Sequence, residues 1–317
     1  VHTETSLGGG LRVSAGLRHD RLAFDQTNHL PAGTVTANVL GATRHYGQLP
    51  GQARDFSNLS PKLGATWSLH PALHLYGSFN HGFRAPSESQ LYRAGNDSTA
   101  AAALNRARLA ADLRPIRARQ AELGARGEIR GWSGHLVAYR LEKRDDLVSQ
   151  RDLATNVTTS VNAGRTRHAG VEAGFGGPLP GGLRFDAAVS RARHTYVDWV
   201  TANANYTGRE MESAPRVIAS GRLGWTPTRG TFVQAEWTHL GSYWLEAGNS
   251  PLFGRYPGHD LLNLRASHAV SARLTAFGRV MNAANRRFAD SASVTSNTPV
   301  FTPGLPRTFH AGLEYAW

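Results

Sequence analysis

The side chains best suited to do chemistry in this sequence are its 14 histidines, and their spacing does not gather them. His70 and His74 flank a short Pro-containing turn, and the alternation around His81 predicts that its side chain faces outward. A metal site needs several ligands that converge on one point, and these runs do not provide such convergence. The histidines are therefore interpreted as scattered surface residues, and no metal site is predicted.

Catalytic motifs are absent from the sequence. No serine has glycine two residues before and two after it, and neither an H-E-x-x-H pair nor a Walker loop occurs. The lack of cysteine also excludes disulfides and cysteine-based zinc sites. No catalytic residue is predicted, and the protein is not expected to be an enzyme.

Arginine carries most of the positive charge. The formal net charge is +12, and Lys62 and Lys143 are the only lysines. Arginine suits anionic ligands and the phosphates of lipopolysaccharide, although arginines spread over solvated faces would give the same total. Nucleic-acid binding is not predicted, because the arginines are distributed over strands and loops and do not form one basic patch.

The last stretch of the chain, Leu305 to Trp317, has the clearest periodicity. Apolar residues alternate with others at a period of two, which is typical of a strand with two different surroundings. A soluble edge strand could alternate in the same way. We interpret the stretch as the closing strand of an outer-membrane barrel, and its outward side chains as a membrane-insertion signal: Phe309, Leu313, Tyr315 and Trp317.

The rest of the chain repeats one pattern of alternating runs, short turns and long polar loops. The longest loop, 86–115, contains an alanine-rich helical stretch from Ala100 to Leu113, and 25–56 reads as another long loop. Short turns are predicted near Pro71, at Gly131, from Gly177 to Gly182, at 227–230 and at 270–272. No apolar run reaches the roughly 20 residues of a spanning helix. The pattern predicts an all-β protein, a transmembrane antiparallel β-barrel with about 12 strands, short periplasmic turns and long extracellular loops.

Several motifs resemble those of TonB-dependent outer-membrane receptors. Ser60 to Gly64 (SPKLG), Leu75 to Phe79 (LYGSF) and Gly82 to Ser87 (GFRAPS) occur in the family's order, and Asn162 to Glu172, Asn282 to Asp290 and Pro303 to Thr308 resemble later boxes. The resemblance runs from about residue 10 to the end. One box departs from the family's N-P-x-L-x-P-E, because Asp112 to Ile116 reads DLRPI.

The resemblance implies that residues 1–317 are the carboxy-terminal portion of a larger, 22-stranded barrel. Nothing in the sequence resembles the family's amino-terminal plug domain or its energy-coupling box, so the plug is expected to be absent from this chain. A wide barrel of this kind needs a plug to avoid being an open hole.

The resemblance further implies energy-coupled uptake of a scarce ligand, most often a ferric siderophore, across the bacterial outer membrane. The implied partners are the TonB-ExbB-ExbD energy-coupling complex, the barrel assembly machinery, outer-membrane lipid and lipopolysaccharide. No cofactor is expected to be held by the chain itself. Aromatic and arginine side chains in the long loops could bind an iron complex by stacking and charge. The candidates are Tyr92, Arg93, Tyr196, Trp199, Tyr206, Tyr243 and Trp244.

Two other functions fit the strand number. A passive 12-stranded porin would let solute pass without saturation, and an outer-membrane hydrolase would carry a serine and a histidine on one strand. No such pair stands out in the sequence. Saturable binding of a ferric complex favours the receptor, and lipid hydrolysis favours the enzyme.

Overall fold

The computed structural model describes residues 1–29, 32–39, 42–92, 95–151, 158–201, 204–295 and 297–317. Within these ranges the chain is built mainly of strands, with a few short helical segments. None of the helices in the same ranges is long and apolar enough to cross a bilayer.

One antiparallel sheet dominates the structure. Within the described residues it contains thirteen strands, and each is hydrogen-bonded to the next in the order of the chain. These strands are β1 His2–Gly8, β2 Leu11–Gln26, β5 Gln52–His70, β6 Leu73–Arg84, β8 Ile116–Ile129, β9 Trp132–Arg151, β10 Thr158–Leu179, β11 Leu183–Asp198, β12 Val217–Trp225, β13 Thr231–Leu240, β16 His259–Ala269, β17 Leu274–Met281 and β20 Thr308–Tyr315. The sheet is open, with β1 and β20 as its two ends.

The remaining elements lie in the long loops. They form a three-stranded sheet, two small hairpins and short helices. Their ranges are β3 Gly33–Val39, β4 Ala42–Gln48, α1 Glu88–Leu91, β7 Gly95–Asp97, α2 Ala100–Ala111, β14 Tyr243–Trp244, β15 Arg255–Tyr256, β18 Ala289–Thr295 and β19 Thr298–Pro303.

The strand register confirms the alternation of the sequence. Residues directly opposed in neighbouring strands point to the same face. Phe175 stands opposite Gly134 and Ala187, and its ring is 53% exposed on the outer face. His81 stands opposite Arg119 on that face, as predicted. In β20 the side chains of Phe309, Leu313 and Tyr315 are exposed on one face. This is what a strand with one lipid-facing side requires.

Short turns join the strands at one rim of the sheet. A 3-10 turn at Pro180–Gly182 links β10 to β11, so β10 extends through the predicted turn at Gly177 and ends only at Leu179. Two tryptophans face these turns: Trp67 Nε1 donates to the Gly9 carbonyl at 3.2 Å, and Trp225 Nε1 donates to the Gly181 carbonyl at 3.1 Å. Partly exposed tryptophans with satisfied N–H groups are typical of a membrane interface.

Thirteen strands exceed the predicted twelve because of β1. Its sequence HTETSLG has no apolar alternation and every residue is exposed, so periodicity could not reveal it. Backbone pairing with β2 defines it as a strand. The predicted loop 25–56 also contains more structure than expected, because β2 continues to Gln26, β5 begins at Gln52 and β3 pairs with β4 between them.

The predicted loop helix is confirmed as α2. Thr99 caps it by accepting a hydrogen bond from the Ala102 backbone N–H at 3.3 Å. Ala103, Ala107, Ala110 and Ala111 are buried. Gly47 of β4 and Gly95 of β7 lie so close to the Ala103 backbone that a Cβ at either position would clash with it. The alanines and glycines therefore allow a helix to lie directly on the small β3–β4–β7 sheet.

The buried residues are concentrated at the rim with the long loops. They form three small hydrophobic clusters there, each built from loop residues and the ends of strands. The two faces of the large sheet between the rims are mostly exposed or half-buried in this chain. The loop rim is therefore where side chains are held in fixed positions.

Candidate functional site

Three long loops are joined into one assembly at this rim. They are the β11–β12 loop (199–216), the β13–β16 loop (241–258) and the β17–β20 loop (282–307). The Ser213 N–H donates to the Trp244 carbonyl at 3.0 Å, and the Val294 N–H donates to the Leu245 carbonyl at 3.2 Å. Four of the seven aromatic and arginine candidates lie in these loops, and a fifth, Tyr196, lies at the adjoining end of β11.

Tyr196, Trp199 and Tyr206 form one aromatic cluster. The ring centroids of Tyr196 and Trp199 are 4.5 Å apart, and those of Trp199 and Tyr206 are 4.4 Å apart with the rings stacked. The Tyr196 hydroxyl donates to Glu212 Oε2 at 2.8 Å. Tyr196 and Trp199 are buried, whereas Tyr206 is half-buried at the edge of the cluster. Burial and the neighbouring Glu246 raise the pKa of the Tyr206 phenol.

Tyr243 lies in a second cluster below the β18–β19 hairpin. Its ring packs against Tyr256 with 5.2 Å between centroids, and its hydroxyl accepts a hydrogen bond from the Ala292 N–H at 3.0 Å. The Tyr256 hydroxyl accepts a similar bond from the Ala289 N–H at 3.1 Å. Tyr243 and Tyr256 of the β13–β16 loop thus hold the backbone of the β17–β20 loop in place.

Trp244 follows Tyr243 in β14 but is only half-buried. The guanidinium carbon of Arg255 lies 4.3 Å from its ring centroid, which is a close cation–π contact. The ring and the guanidinium together present a planar, cationic surface of the kind that stacks on an aromatic anion.

Glu210 connects this surface to the β11–β12 loop. Its side chain is 11% exposed and pairs with Arg216, with Arg193 at 3.5 Å and with Arg255 at 3.8 Å. The hydrogen bond from Arg216 is the main cause that lowers the pKa of the Glu210 carboxyl, against the opposing effect of burial. Three guanidiniums thus surround one carboxylate here, whereas Glu212 and Glu246 lie beside the neighbouring aromatic cluster.

Asn249 reinforces the same junction. Its Oδ1 accepts a hydrogen bond from the Glu210 N–H at 2.8 Å, and its Nδ2 donates to the Glu210 carbonyl at 2.8 Å. Sequence reasoning missed Glu210, Arg255 and Asn249. Local periodicity contains no signal for them, because Glu210 meets its partners only after the strands bring separate loops together.

Tyr92 lies apart from this assembly. It packs against the cluster of Phe56, Leu91 and Leu113 at the other part of the loop rim. Its hydroxyl is buried, and no hydrogen-bond partner for it occurs within the described residues. Burial is the main cause that raises the pKa of this phenol. Arg93, the adjacent candidate, lies outside the described residues.

The β6–β8 loop is fastened to β10 through Asn162, the first residue of the N-A-G motif. Its Oδ1 accepts a hydrogen bond from the Arg114 N–H at 2.9 Å, and its Nδ2 donates to the Arg114 carbonyl at 2.9 Å. In the same loop Asp97 is paired with Arg106. Burial alone would raise the pKa of Asp97, but hydrogen bonds from Arg106 and Ser98 lower it overall.

Asn282 performs the same task for the β17–β20 loop. It is 3% exposed, and its Nδ2 donates to the carbonyls of Arg286 and Leu305 at 2.8 and 3.1 Å. Its Oδ1 accepts a hydrogen bond from the Arg286 N–H at 2.8 Å. The side-chain amides of Asn162 and Asn282 therefore hold the two loops in place, because their polar atoms are hydrogen-bonded to the loop backbone.

The inner face of the sheet forms an open trough below the loops. A cavity of about 700 Å³ in it is lined by residues of β9–β13, β16 and β17 and by Asn282, Phe288, Asp290 and Leu305 of the β17–β20 loop. On this face the Nδ1 atoms of His168 and His194 lie 2.7 Å apart, and Thr166 donates to Asp146 Oδ2 at 2.9 Å. Among the described residues, no group of three or more His, Asp or Glu side chains is arranged to hold a metal ion.

The comparisons with known proteins agree with this architecture. The sequence model of the family described as "TonB dependent receptor-like, beta-barrel" matches residues 2–283. Among solved structures, the copper transporter OprC superimposes with a TM-score of 0.74 at 15% identity, covering 98% of this chain and 47% of that one. The ferric yersiniabactin uptake receptor FyuA from Yersinia pestis gives 0.71 at 15% identity, with 99% and 44% covered.

A third structure is the ferric citrate transporter FecA in its unliganded form, with a TM-score of 0.71, 15% identity and 96% and 43% of the two chains covered. At such identities the likeness concerns the fold. The chain spans less than half the length of each of these three proteins. The family is one of transport receptors and not of enzymes, so the hydrolase interpretation is set aside. The chain thus belongs to the β-barrel family of TonB-dependent receptors, which reside in the bacterial outer membrane.

Proposed function

We propose that this chain is part of an outer-membrane receptor that imports a scarce ligand, a ferric siderophore, with energy from the TonB-ExbB-ExbD complex. The observation that carries the proposal is the loop assembly around Glu210, where aromatic rings meet three guanidiniums, one each from β11, the β11–β12 loop and the β13–β16 loop. Such a surface has the planarity and positive charge that suit an anionic iron chelate with aromatic groups.

The names of similar structures support the proposed class of ligand. FyuA takes up ferric yersiniabactin, FecA transports ferric citrate and OprC transports copper. Two of these three ligands are ferric chelates. We extend that class to this chain because the guanidinium of Arg255 lies over the half-buried Trp244 ring, a pair that suits an anionic chelate with aromatic groups.

Tyr206 and Trp244 are the proposed contact residues, because both are half-buried at the edge of the assembly. Tyr196, Trp199 and Tyr243 are buried, so they would have to be uncovered by loop movement before they touched a ligand. In the closed arrangement they hold the loops in place. Tyr92 and Arg93 would approach a ligand from the β6–β8 loop.

The other proposed partners act on the barrel as a whole. The barrel assembly machinery would insert it, with Phe309, Leu313, Tyr315 and Trp317 as the signal of the last strand. Outer-membrane lipid and lipopolysaccharide would surround it, and no nucleic acid is involved. The passive porin remains the competing transport function, and only a flux measurement separates it from an energised receptor.

The test is uptake by cells that carry the protein as their host makes it. Radiolabelled iron is supplied as a tris-catecholate, a hydroxamate or a citrate complex, and copper is supplied as a separate arm, each with and without a protonophore. We expect saturable uptake of one ferric complex that the protonophore abolishes. Uptake that rises linearly with concentration and ignores the protonophore would contradict the proposal in favour of the porin.

The contact residues are tested by equilibrium binding of the same complex. We expect the double substitution Tyr206→Ala and Trp244→Ala to weaken binding about 10-fold or more, since each stacking or cation–π contact contributes on the order of 1 kcal/mol. The control is Leu252→Ala, which removes a side chain that is 79% exposed from the β13–β16 loop without removing a ring or a charge. Equal affinities for the double variant and the wild type would exclude these two residues from the site.

A further inference from the structure

Two histidines stand side by side on the inner face of the sheet. His168 of β10 is directly opposite His194 of β11, and their Nδ1 atoms are 2.7 Å apart. The side chain of Val171, three residues further along β10, is exposed on the outer face, so the alternation of the strand places His168 on the inner face. We call His168 and His194 the histidine pair. The function proposed above makes no use of it.

The histidine pair is positioned by two long strands and not by a loop. Thr166, the next residue of β10 on the same face, stands opposite Tyr196, so the pair lies one row below the aromatic cluster. The centroids of the two imidazole rings are 5.0 Å apart, and both rings are half-buried. Directly opposed residues of neighbouring strands have Cβ atoms about 4.5 to 5.5 Å apart, so two imidazoles there can reach one ion.

One ring of the pair is connected to a carboxylate through a hydroxyl group. Thr166 Oγ1 donates to Asp146 Oδ2 at 2.9 Å and lies 3.4 Å from His168 Nε2. Because the single hydroxyl hydrogen goes to the carboxylate, the Thr166 oxygen accepts a hydrogen bond from His168 Nε2–H. Lys143 Nζ lies 3.2 Å from the same Asp146 oxygen and balances its charge. Metal-binding histidines usually donate their second ring N–H to a carboxylate, a carbonyl or water, and here Thr166 extends that bond to Asp146.

These hydrogen bonds determine which nitrogen of His168 has a lone pair. With hydrogen on Nε2, the neutral ring has its lone pair on Nδ1, the atom that contacts His194. The contact of 2.7 Å then requires a hydrogen on His194 Nδ1. This hydrogen can move to His194 Nε2 through solvent with no net change in protonation. Both Nδ1 atoms then offer lone pairs to one ion, and neutral imidazole is the form that binds metal ions.

The distance between the two nitrogens suits metal ligands at a right angle. Metal–imidazole bonds of about 2.0 to 2.1 Å place two nitrogens about 2.9 Å apart at 90° and about 3.4 Å apart in a tetrahedron. The 2.7 Å of the histidine pair is nearer to the first value. Nitrogen and oxygen ligands at right angles are typical of Cu²⁺ and Ni²⁺, and Cu²⁺ binds most tightly among the divalent first-row ions.

We propose that the histidine pair binds a Cu²⁺ ion through its two Nδ1 atoms, with Thr166 and Asp146 orienting the ring of His168. Among the residues that the structure describes, no third His, Asp or Glu side chain joins the pair. Water therefore fills the other coordination positions on the side of the trough, and the ion is exchangeable. This site is in the wall of the sheet and does not depend on the ligand proposed for the loops.

The test uses the whole protein purified from its host membranes in detergent and stripped of metal ions with a chelator. Cu²⁺ and Zn²⁺ are titrated separately, and the electron paramagnetic resonance spectrum of the first equivalent of Cu²⁺ is recorded. We expect this ion to be coordinated by two imidazole nitrogens and Zn²⁺ to bind at least tenfold more weakly. Fewer than two coordinated imidazoles, or Zn²⁺ bound as tightly as Cu²⁺, would overturn the assignment.

The pair variants are His168→Ala and His194→Ala. Their control combines His268→Ala with His310→Ala, which removes two exposed histidines from other strands. We expect each pair variant to bind Cu²⁺ at least tenfold more weakly and to lose the signal of two imidazole nitrogens, and we expect no change in the control. Wild-type affinity in either pair variant, or loss of the site in the control, would refute the proposal. The titrations of the wild type decide the question if a pair variant fails to insert.

The role of the hydroxyl group is tested by Thr166→Val, with Thr166→Ser as the matched control. Thr166 is fully buried, and valine has nearly the same shape without the hydroxyl. We expect Thr166→Val to weaken Cu²⁺ binding about 10-fold or more, because losing a group that orients a metal ligand costs about 10- to 100-fold in affinity. Thr166→Ser should bind like the wild type. Equal affinities of the two variants would exclude Thr166 and Asp146 from the site.

Discussion

At the scale of single residues, Glu210 organises the loop rim. Exposed ion pairs contribute little to stability, but Glu210 is largely buried and shared by three arginines from three segments. Such a carboxylate acts as a connector, because its removal leaves the three guanidiniums facing one another. The loops should therefore depend on its ionisation.

The corresponding prediction concerns the stability of the loops at acid pH. The folded pKa of Glu210 lies below its ordinary value of 4.5, so its stabilising contribution is complete above that value and is lost as the pH falls through the lower folded pKa. We expect amide exchange in the three loops, corrected for intrinsic rates, to accelerate as the pH falls below 4.5, the ordinary pKa of this carboxyl, in the wild type. The variant Glu210→Gln should exchange quickly at every pH, with a cost of about 1 to 2 kcal/mol after discounting for the exposed guanidiniums.

The matched control is Glu246→Gln. Its carboxylate accepts hydrogen bonds from Gly248 and Ser250 of its own loop. This variant should keep the acid transition of the wild type in the two neighbouring loops. A Glu210→Gln variant with wild-type exchange in all three loops would show that the arginines do not need the carboxylate.

At the scale of elements, β20 shows how one strand serves two environments. Leu313 is 71% exposed on the outer face and stands opposite Ala276, whereas the next residue, Glu314, stands opposite Thr275 on the inner face. Leu313 lies four residues from the end of the chain, or about 10 Å along the barrel axis. This depth is between the interface and the midplane of the apolar band.

We therefore expect Leu313→Arg to destabilise the folded barrel by about 2 kcal/mol, because arginine costs about 2 to 4 kcal/mol at the midplane and less near an interface. The control Thr275→Arg introduces the same side chain beside Glu314 on the opposite face and should be nearly neutral. Unfolding of the whole protein from lipid vesicles by denaturant measures both. Equal stability of the two variants would show that Leu313 does not contact lipid.

At the scale of the whole molecule, the open sheet is the main structural fact. The strands β1 and β20 form its two ends, and an unpaired edge in a bilayer exposes backbone N–H and C=O groups that lipid cannot satisfy. Thirteen strands with two such edges need further strands to close. We propose that these residues are the carboxy-terminal portion of a larger barrel of the 22-stranded class.

This proposal predicts a failure when residues 1–317 are refolded alone. We expect the isolated chain to aggregate in detergent micelles and to give no heat-modifiable band on a denaturing gel, since its two edges remain unpaired. The protein extracted from its host membrane with an antibody against β20 should have roughly twice the mass of this chain. A compact, heat-modifiable band from the isolated chain would contradict the larger barrel and direct attention to the porin.

Much of the architecture could be predicted from the sequence. Successive side chains of a strand point to opposite faces of the sheet, and short turns favour particular residues, so both leave a local pattern. The alternation of Phe309, Leu313 and Tyr315 determined the two faces of β20, and the alanines of 100–111 determined a helix. Strand β1 was not predicted, because its sequence has no such pattern and only its pairing with β2 defines it as a strand.

The tertiary structure alone decided which distant residues meet. Tyr196, Trp199 and Tyr206 are close in the sequence, so their selection as one aromatic group needed no fold. The pairing of Glu210 with Arg255 depends on how two loops meet at the rim, and the alignment of Arg117, Arg144 and Arg165 across β8, β9 and β10 depends on the register between those strands. Register is set by the sum of many weak pairings along each strand, whereas a single residue type or spacing reports only its own neighbourhood. Local periodicity therefore determined the faces of the sheet, and the pairing of strands decided what stands on them.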